Sequence, residues 1–160
     1  MGELGFFLGL QVCQLEGDTF INQAKYTKEL LKKFSMENYY VASTPMSTSV
    51  KLDKDEVGQI VDITAYRGKI GSLLYLIENR PHILFTVRVC ERFQTNPKQS
   101  HYVAAKRILK YLKGTQNVGL WYPNDSSFNL ISYANANYAS CKVDRKRTSG
   151  TCQFLGDTLV

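Results

Sequence analysis

Residues 96–114 read NPKQSHYVAAKRILKYLKG. Asn96-Pro97 offers an N-cap followed by a first-turn proline, and Gly114 offers a C-terminal stop, so the spacing predicts a helix between them. Ala105, Ile108, Leu109 and Leu112 fall on one apolar stripe of that helix. Lys106, Lys110 and Lys113 recur at i, i+4 and i+7 on another face, with Arg107 flanking them. Beyond Gly114 the pattern changes. Gly119–Tyr122, Phe128–Tyr133 and Thr151–Leu155 are short strand-like pieces. Helices that give way to strands predict an α+β fold.

Upstream, Asp62 caps a second predicted helix, Ile63–Glu78, with Tyr66, Ile70, Leu73, Leu74 and Ile77 as its stripe. Pro81 ends it and opens a third, Pro81–Phe93, against the β-branched character of Ile83, Thr86, Val87 and Val89. Ala24–Phe34 is a fourth. Thr27, Leu30, Leu31 and Phe34 share its apolar face, and Lys25, Lys28 and Lys32 lie elsewhere. At the N-terminal end, Phe6–Gln14 and Thr19–Asn22 flank Gly17-Asp18 and read as a β-hairpin with a loose turn. Tyr39–Val61 sustains no apolar period, and its STPMSTS run and mixed charges make it the best linker candidate. The expected units are 1–38, a linker at 39–61, a helical block at 62–118 and a β-rich end at 119–160.

The chain has 160 residues, 44% apolar and 12% aromatic, which suits a globular core rather than disorder. No run of about 18 apolar residues suggests a membrane span, and Glu3 with no basic leader makes the N-terminus a poor signal peptide. Cys13, Cys90, Cys141 and Cys152 are scattered without a C-x-x-C, and His82 and His101 are the only histidines, so a zinc site is not expected. Reduced thiols and an intracellular setting, cytoplasmic or nuclear rather than secreted, are the expectation. The net charge of +6 is asymmetric: residues 1–96 hold equal numbers of acids and bases, and the whole excess lies in 97–160. Such asymmetry points to a polyanionic partner, most simply nucleic acid.

The face formed by Lys106, Arg107, Lys110 and Lys113 is therefore the leading candidate for binding. Cations repeated along one helix face can track phosphates and give salt-dependent, sequence-independent affinity. The plainer reading is a solvated face whose charges suit the helix C-terminus. Lys142, Arg145, Lys146 and Arg147 form a second cluster, more simply a charged turn. Tyr66, Tyr75, Tyr111 and Trp121 can in principle stack on bases, but their positions beside apolar stripes favour packing. His82 near a helix start reads as a capping or surface residue, and His101 as structural. The cysteines read as buried or incidental. Gly9 and Gly71 sit in no phosphate-loop pattern and read as sites of close packing.

The run ISYANANYASCKVDRKRTSGTCQFLG, residues 131–156, resembles the start of the ribonuclease H domain in copia-type retrotransposon Pol polyproteins. That family shows Y-S-D-A-D-W/F-A-G, then D-R-K-S-T-S-G and F-L-G. The resemblance continues in order through MGELGFFLGLQV at 1–12, FINQAKYTKELLKKFSMEN at 20–38, STPM at 43–46, YRGKIGSLLYLIENRPHILFTV at 66–87 and SHYVAAKRILKYLKGT at 100–115. Each block alone is weak; together they cover nearly the whole chain.

The resemblance implies a segment of a reverse transcriptase–ribonuclease H polypeptide. The family's activity is RNA-directed DNA polymerisation with hydrolysis of the RNA strand, both using Mg2+. It implies that Phe6–Asn22 is a hairpin near the primer terminus, that 62–118 is a helical thumb and connection, and that 119–160 is a partial ribonuclease H-like sheet. The polymerase Y-x-D-D motif does not occur in the sequence, and the family's later ribonuclease H carboxylates are expected beyond Val160. Where the family has its two acidic residues, this chain has Asn135 and Asn137. Tyr138 and Ser140 also depart from the pattern. Asp→Asn and Gly→Ser can each arise from one G-to-A change, as in a decaying element copy. Hard divalent cations need anionic oxygen ligands, so no metal cofactor and no catalysis are expected of the isolated chain. The expected partners are an RNA–DNA or other nucleic-acid duplex and the remainder of the Pol polyprotein. The alternative is a non-enzymatic interaction remnant or a pseudogene product without function.

Overall fold

The computed structural model describes residues 5–15, 17–47, 52–124, 129–137, 148–156 and 158–159. Helix and strand are mixed in an α+β chain. Strands β1 (Phe6–Phe7), β2 (Leu10–Leu15) and β3 (Asp18–Asn22) come first, followed by helix α1 (Ala24–Lys33). Helices α2 (Ile63–Leu76), α3 (Pro81–Glu91) and α4 (Gln99–Gly114) form the middle, with a short 3₁₀ turn at Ile77–Asn79. Strands β4 (Gly119–Tyr122), β5 (Leu130–Asn137), β6 (Thr148–Leu155) and β7 (Thr158–Leu159) follow.

The apolar run at Phe6–Gln14, expected as one strand, is two. Leu8 and Gly9 both take positive φ, 47° and 84°, and close a two-residue turn in which Phe7 pairs with Leu10. Gly9 is needed on two counts. Its backbone favours glycine, and an added Cβ would lie 2.6 Å from the Tyr75 hydroxyl. The hairpin of β2 and β3 is present, with Val12 opposite Ile21 and Cys13 opposite Phe20.

β4 differs from its expected place in the C-terminal unit. It pairs antiparallel with β3, Phe20 facing Trp121 and Asn22 facing Gly119, and completes a sheet of order β1-β2-β3-β4. Gly119 permits this approach, since a Cβ there would fall 2.3 Å from the Ile21 carbonyl oxygen. The helices are thus an insertion between two paired strands. A second antiparallel sheet, β5-β6-β7, begins only at Leu130.

The core is one cluster drawn from every helix: Leu30 and Leu31 of α1, Tyr66, Ile70, Leu73 and Leu76 of α2, Ile83, Val87 and Cys90 of α3, and Ala105, Ile108, Leu109 and Leu112 of α4. The predicted α4 stripe is fully buried. On α2 the buried stripe is turned slightly from the expected one: Lys69 and Leu76 join it, while Leu74 and Ile77 lie at its margin. The β-branched residues of α3 are compatible with a helix because Ile83, Thr86 and Val87 all face the core. Asp62 caps α2 as expected, its Oδ1 accepting from the amides of Thr64 (2.7 Å) and Ala65 (3.2 Å).

The start of α4 departs from the Asn96-Pro97 expectation. The helix begins at Gln99, and its cap is made from within. His101 Nδ1 accepts from the Lys98 amide (3.0 Å), and Nε2 donates to the Asp53 carbonyl (2.7 Å). The buried imidazole also stacks on Phe93, with centroids 4.0 Å apart. Asp53 belongs to the segment expected as a linker. Within 39–61 the described residues are tied to α4 at both of its ends. The Ala42 amide donates to the Lys110 carbonyl, the Val61 amide to Pro97, and Gln99 back to Gln59. Ser100 donates to the Asp55 carboxylate at 2.5 Å. The segment is a strap rather than a free connector.

Candidate nucleic-acid interface

The four basic residues of α4 are brought onto one half-buried face, as their spacing demands, and the strap at 37–44 lies along it. Lys113 Nζ donates to the carbonyls of Glu37 (2.6 Å) and Tyr39 (2.7 Å). Arg107 Nε donates to the Thr44 carbonyl (3.1 Å), and its Nη2 donates to the Thr44 hydroxyl (3.0 Å). Lys106 Nζ donates to the Tyr39 hydroxyl (3.3 Å) and stands 4.9 Å from that ring's centroid. Lys110 Nζ sits 3.9 Å from the Tyr40 centroid and 5.2 Å from that of Tyr39.

All of these partners are neutral. Among the described residues, none of the four cations forms an ion pair with a carboxylate; the ion pair recorded there is Arg88–Glu91 on α3. Carbonyls, two hydroxyls and ring faces fix the positions of the charges without cancelling them. The field of the face therefore survives the strap.

Two other cations escaped the sequence reading. Arg80, fully buried, plugs the C-terminal end of α4. Its Nη1 donates to the Thr115 carbonyl and hydroxyl, and its Nη2 to the Gln116 carbonyl at 2.6 Å. Burial pulls its pKa below the ordinary guanidinium range, but a guanidinium in proteins stays charged. Lys69 is buried with its ammonium 4.0 Å from the Tyr102 centroid and 4.9 Å from that of Phe34. A signal for Lys69 was present, since it lies three residues after Tyr66 on the stripe. Arg80 had none, because its partners lie 35 residues or more away.

The stacking candidates are dispersed. Tyr66 is in the core, its hydroxyl donating to the Cys90 carbonyl (2.8 Å). Tyr75 binds the Leu8 carbonyl (2.7 Å), Tyr111 meets the exposed His82 edge-on (5.6 Å), and Trp121 leans on Phe20 (6.0 Å). The exposed rings beside the cations are Tyr39 and Tyr40, which the sequence reading passed over. Asn135 and Asn137 both lie within β5, opposite Gly150 and Thr148. Lys142, Arg145, Lys146, Arg147, Tyr138, Ser140 and Cys141 lie outside the described residues. Among the described residues no group of three or more His, Cys, Asp or Glu side chains could hold a metal ion. No described helix is long and apolar enough to cross a membrane.

Comparison with known proteins places this α+β chain with its inserted helical block. The chain belongs to the copia-type retrotransposon Pol family. It is 35% identical over 154 residues to the retrovirus-related Pol polyprotein from transposon RE1 of Arabidopsis thaliana, a match covering 96% of this chain and 10% of that protein. The corresponding polyprotein from transposon RE2 is 32% identical, covering 96% and 11%. An uncharacterized mitochondrial protein of the same plant is 31% identical over all of this chain and 66% of its own length. The chain thus spans about a tenth of the Pol polyproteins it matches. No protein-family model and no solved structure matches it.

Proposed function

We propose that this transposon-derived chain is a non-catalytic, duplex-binding segment of a reverse transcriptase–ribonuclease H polypeptide. In this reading α2–α4 form its thumb and connection, and β5–β7 are the first strands of a ribonuclease H-like sheet. The observation that carries the binding role is the α4 face, where among the described residues Lys106, Arg107, Lys110 and Lys113 are held by neutral groups alone. Lys106 to Lys113 spans about 10 Å of helix, or roughly three phosphate steps along one strand. Regular cations at that pitch suit a sugar–phosphate backbone and read no bases.

The residues at the family's acidic positions do not fit Mg2+. Asn135 and Asn137 offer neutral amide oxygens, whereas two-metal chemistry needs converging carboxylates. No step through a metal is assigned to this chain, and neither primer extension nor hydrolysis of hybrid RNA is expected of it.

The test is titration of a labelled RNA–DNA hybrid across a salt series. Simultaneous Lys106→Gln, Lys110→Gln and Lys113→Gln substitution should flatten the slope of log affinity against log salt by about 2–3. An unchanged slope rejects the face.

A second reading, a non-enzymatic interaction remnant, has its own support. Among the described residues β5 pairs with β6 alone and exposes Leu130, Ile131 and Tyr133. An eight-residue edge of this kind can recruit another strand. Concentration-dependent association without affinity for the hybrid would favour it.

A further inference from the structure

The strap does more than cover the basic helix, because it carries two aromatic rings into the charged field. Tyr40 is 69% exposed and Tyr39 39% exposed. Neither ring drifts freely. The Tyr39 carbonyl accepts from Lys113 (2.7 Å), its hydroxyl accepts from Lys106 (3.3 Å), and the Ala42 amide two residues beyond Tyr40 is fixed to the Lys110 carbonyl (3.3 Å). One ammonium, Lys110, touches both ring systems, at 5.2 and 3.9 Å. Two aromatic surfaces thus stand in water beside cations that, among the described residues, no carboxylate neutralises.

The geometry points to a stacking site for an unpaired nucleotide, formed by Tyr39 and Tyr40 with Lys106 and Lys110 as its phosphate contacts. The inference rests on the duplex-binding reading of α4 and extends it to the kind of nucleic acid preferred, a duplex flanked by a single-stranded overhang. The exposed Tyr40 ring offers a flat surface to a base, and every base has a π-face, so the site is tolerant of sequence. The phosphate joined to that nucleotide meets the Lys110 ammonium, which already lies against the ring. Along a duplex the bases present only their edges in the grooves, so a blunt hybrid can offer the rings nothing but its end pairs, whereas an overhang offers unpaired faces. Lysines without the rings would gain from the overhang only its extra phosphates and would quench no base fluorescence; the rings supply the stacking.

The experiment uses the full chain and two RNA–DNA hybrids. One is blunt, and the other carries a short overhang containing 2-aminopurine, whose fluorescence falls on stacking. The overhang hybrid should bind more tightly than the blunt one, by roughly tenfold on the usual worth of one base–aromatic stack, and its fluorescence should be quenched. Tyr40→Phe should keep both effects. Tyr40→Leu should abolish the quenching and bring the affinity for the overhang hybrid down to that for the blunt one measured with the same variant, and slow hydrogen exchange at the Ala42 amide then shows that the strap has not been released. Equal affinity for the two hybrids, or quenching that survives Tyr40→Leu, overturns the stacking site and leaves the duplex reading standing. Quenched binding of the overhang with no affinity for the blunt hybrid supports the stacking site and rejects the duplex reading. No binding to either overturns both.

Discussion

Tyr66 and Cys90 show how a packed interior writes a pH dependence. The Tyr66 hydroxyl is buried and donates to the Cys90 carbonyl, and burial raises its pKa. Burial likewise pushes the Cys90 thiol up to about 12. Both groups are neutral in the fold and ionise more readily once exposed, so the unfolded state loses protons first as pH rises. Their contribution to stability is complete below the ordinary thiol range and is lost progressively as pH rises above about 9 toward the folded Cys90 value of about 12. The urea midpoint should therefore fall between pH 9 and 10.5, and less steeply in Cys90→Ala; a flat profile would show that neither group is held neutral. The same burial protects the thiol from alkylation, so iodoacetamide should modify the exposed Cys13 well before Cys90. Arg80 carries a different burden. Its fork satisfies carbonyls beyond the end of α4, while its Nε has no partner among the described residues. Arg80→Met leaves those carbonyls without their donor at a part-buried helix end, and about 2 kcal/mol of unfolding free energy should disappear. Arg80→Lys should recover only part of that, since an ammonium has no fork. Urea titration of both variants decides this, and a loss below about 0.5 kcal/mol for Arg80→Met would mean that water replaces the guanidinium.

At the scale of elements, the sequence was most legible where a single helix decides its own burial. The α4 stripe and the Asp62 cap follow from spacing alone, because an α-helix repeats its faces at fixed intervals. Legibility failed where distant backbone decides. Asn96-Pro97 looked like the start of α4, yet the capping group is His101, which a carbonyl 48 residues away in sequence holds in place. The strap had no apolar period because it is held mainly by amides, carbonyls and ring faces, and these leave no mark on a hydrophobic pattern. For the same reason the lysines of the candidate interface could be read in advance, and Tyr39 and Tyr40 could not. The structure makes a specific demand of the strap. The amides of Ala42 and Val61 donate to Lys110 and Pro97, so hydrogen exchange at both should be slowed markedly relative to a free chain. Exchange at the free-chain rate would return the segment to the status of a linker.

For the whole molecule, the pairing of β3 with β4 changes what can unfold separately. The helices lie between these strands in sequence, and side chains join the two layers. Tyr75 of α2 holds the β1–β2 turn through the Leu8 carbonyl (2.7 Å), and Gln11 of β2 accepts from the first turn of α1 at Lys25 (2.9 Å). Melting the helical block would release Leu8 and Gln11 and separate the tethers of β3 and β4, so the first sheet has little reason to persist alone. The chain contains one tryptophan, Trp121, and it sits on β4 against Phe20. Its fluorescence consequently reports the first sheet, while circular dichroism at 222 nm reports chiefly the helices. The two signals should show coincident urea midpoints, as one cooperative unit requires. A tryptophan transition clearly below the helical one would mean that the four-stranded sheet is an appendage, and that a boundary falls between Tyr122 and the helices after all.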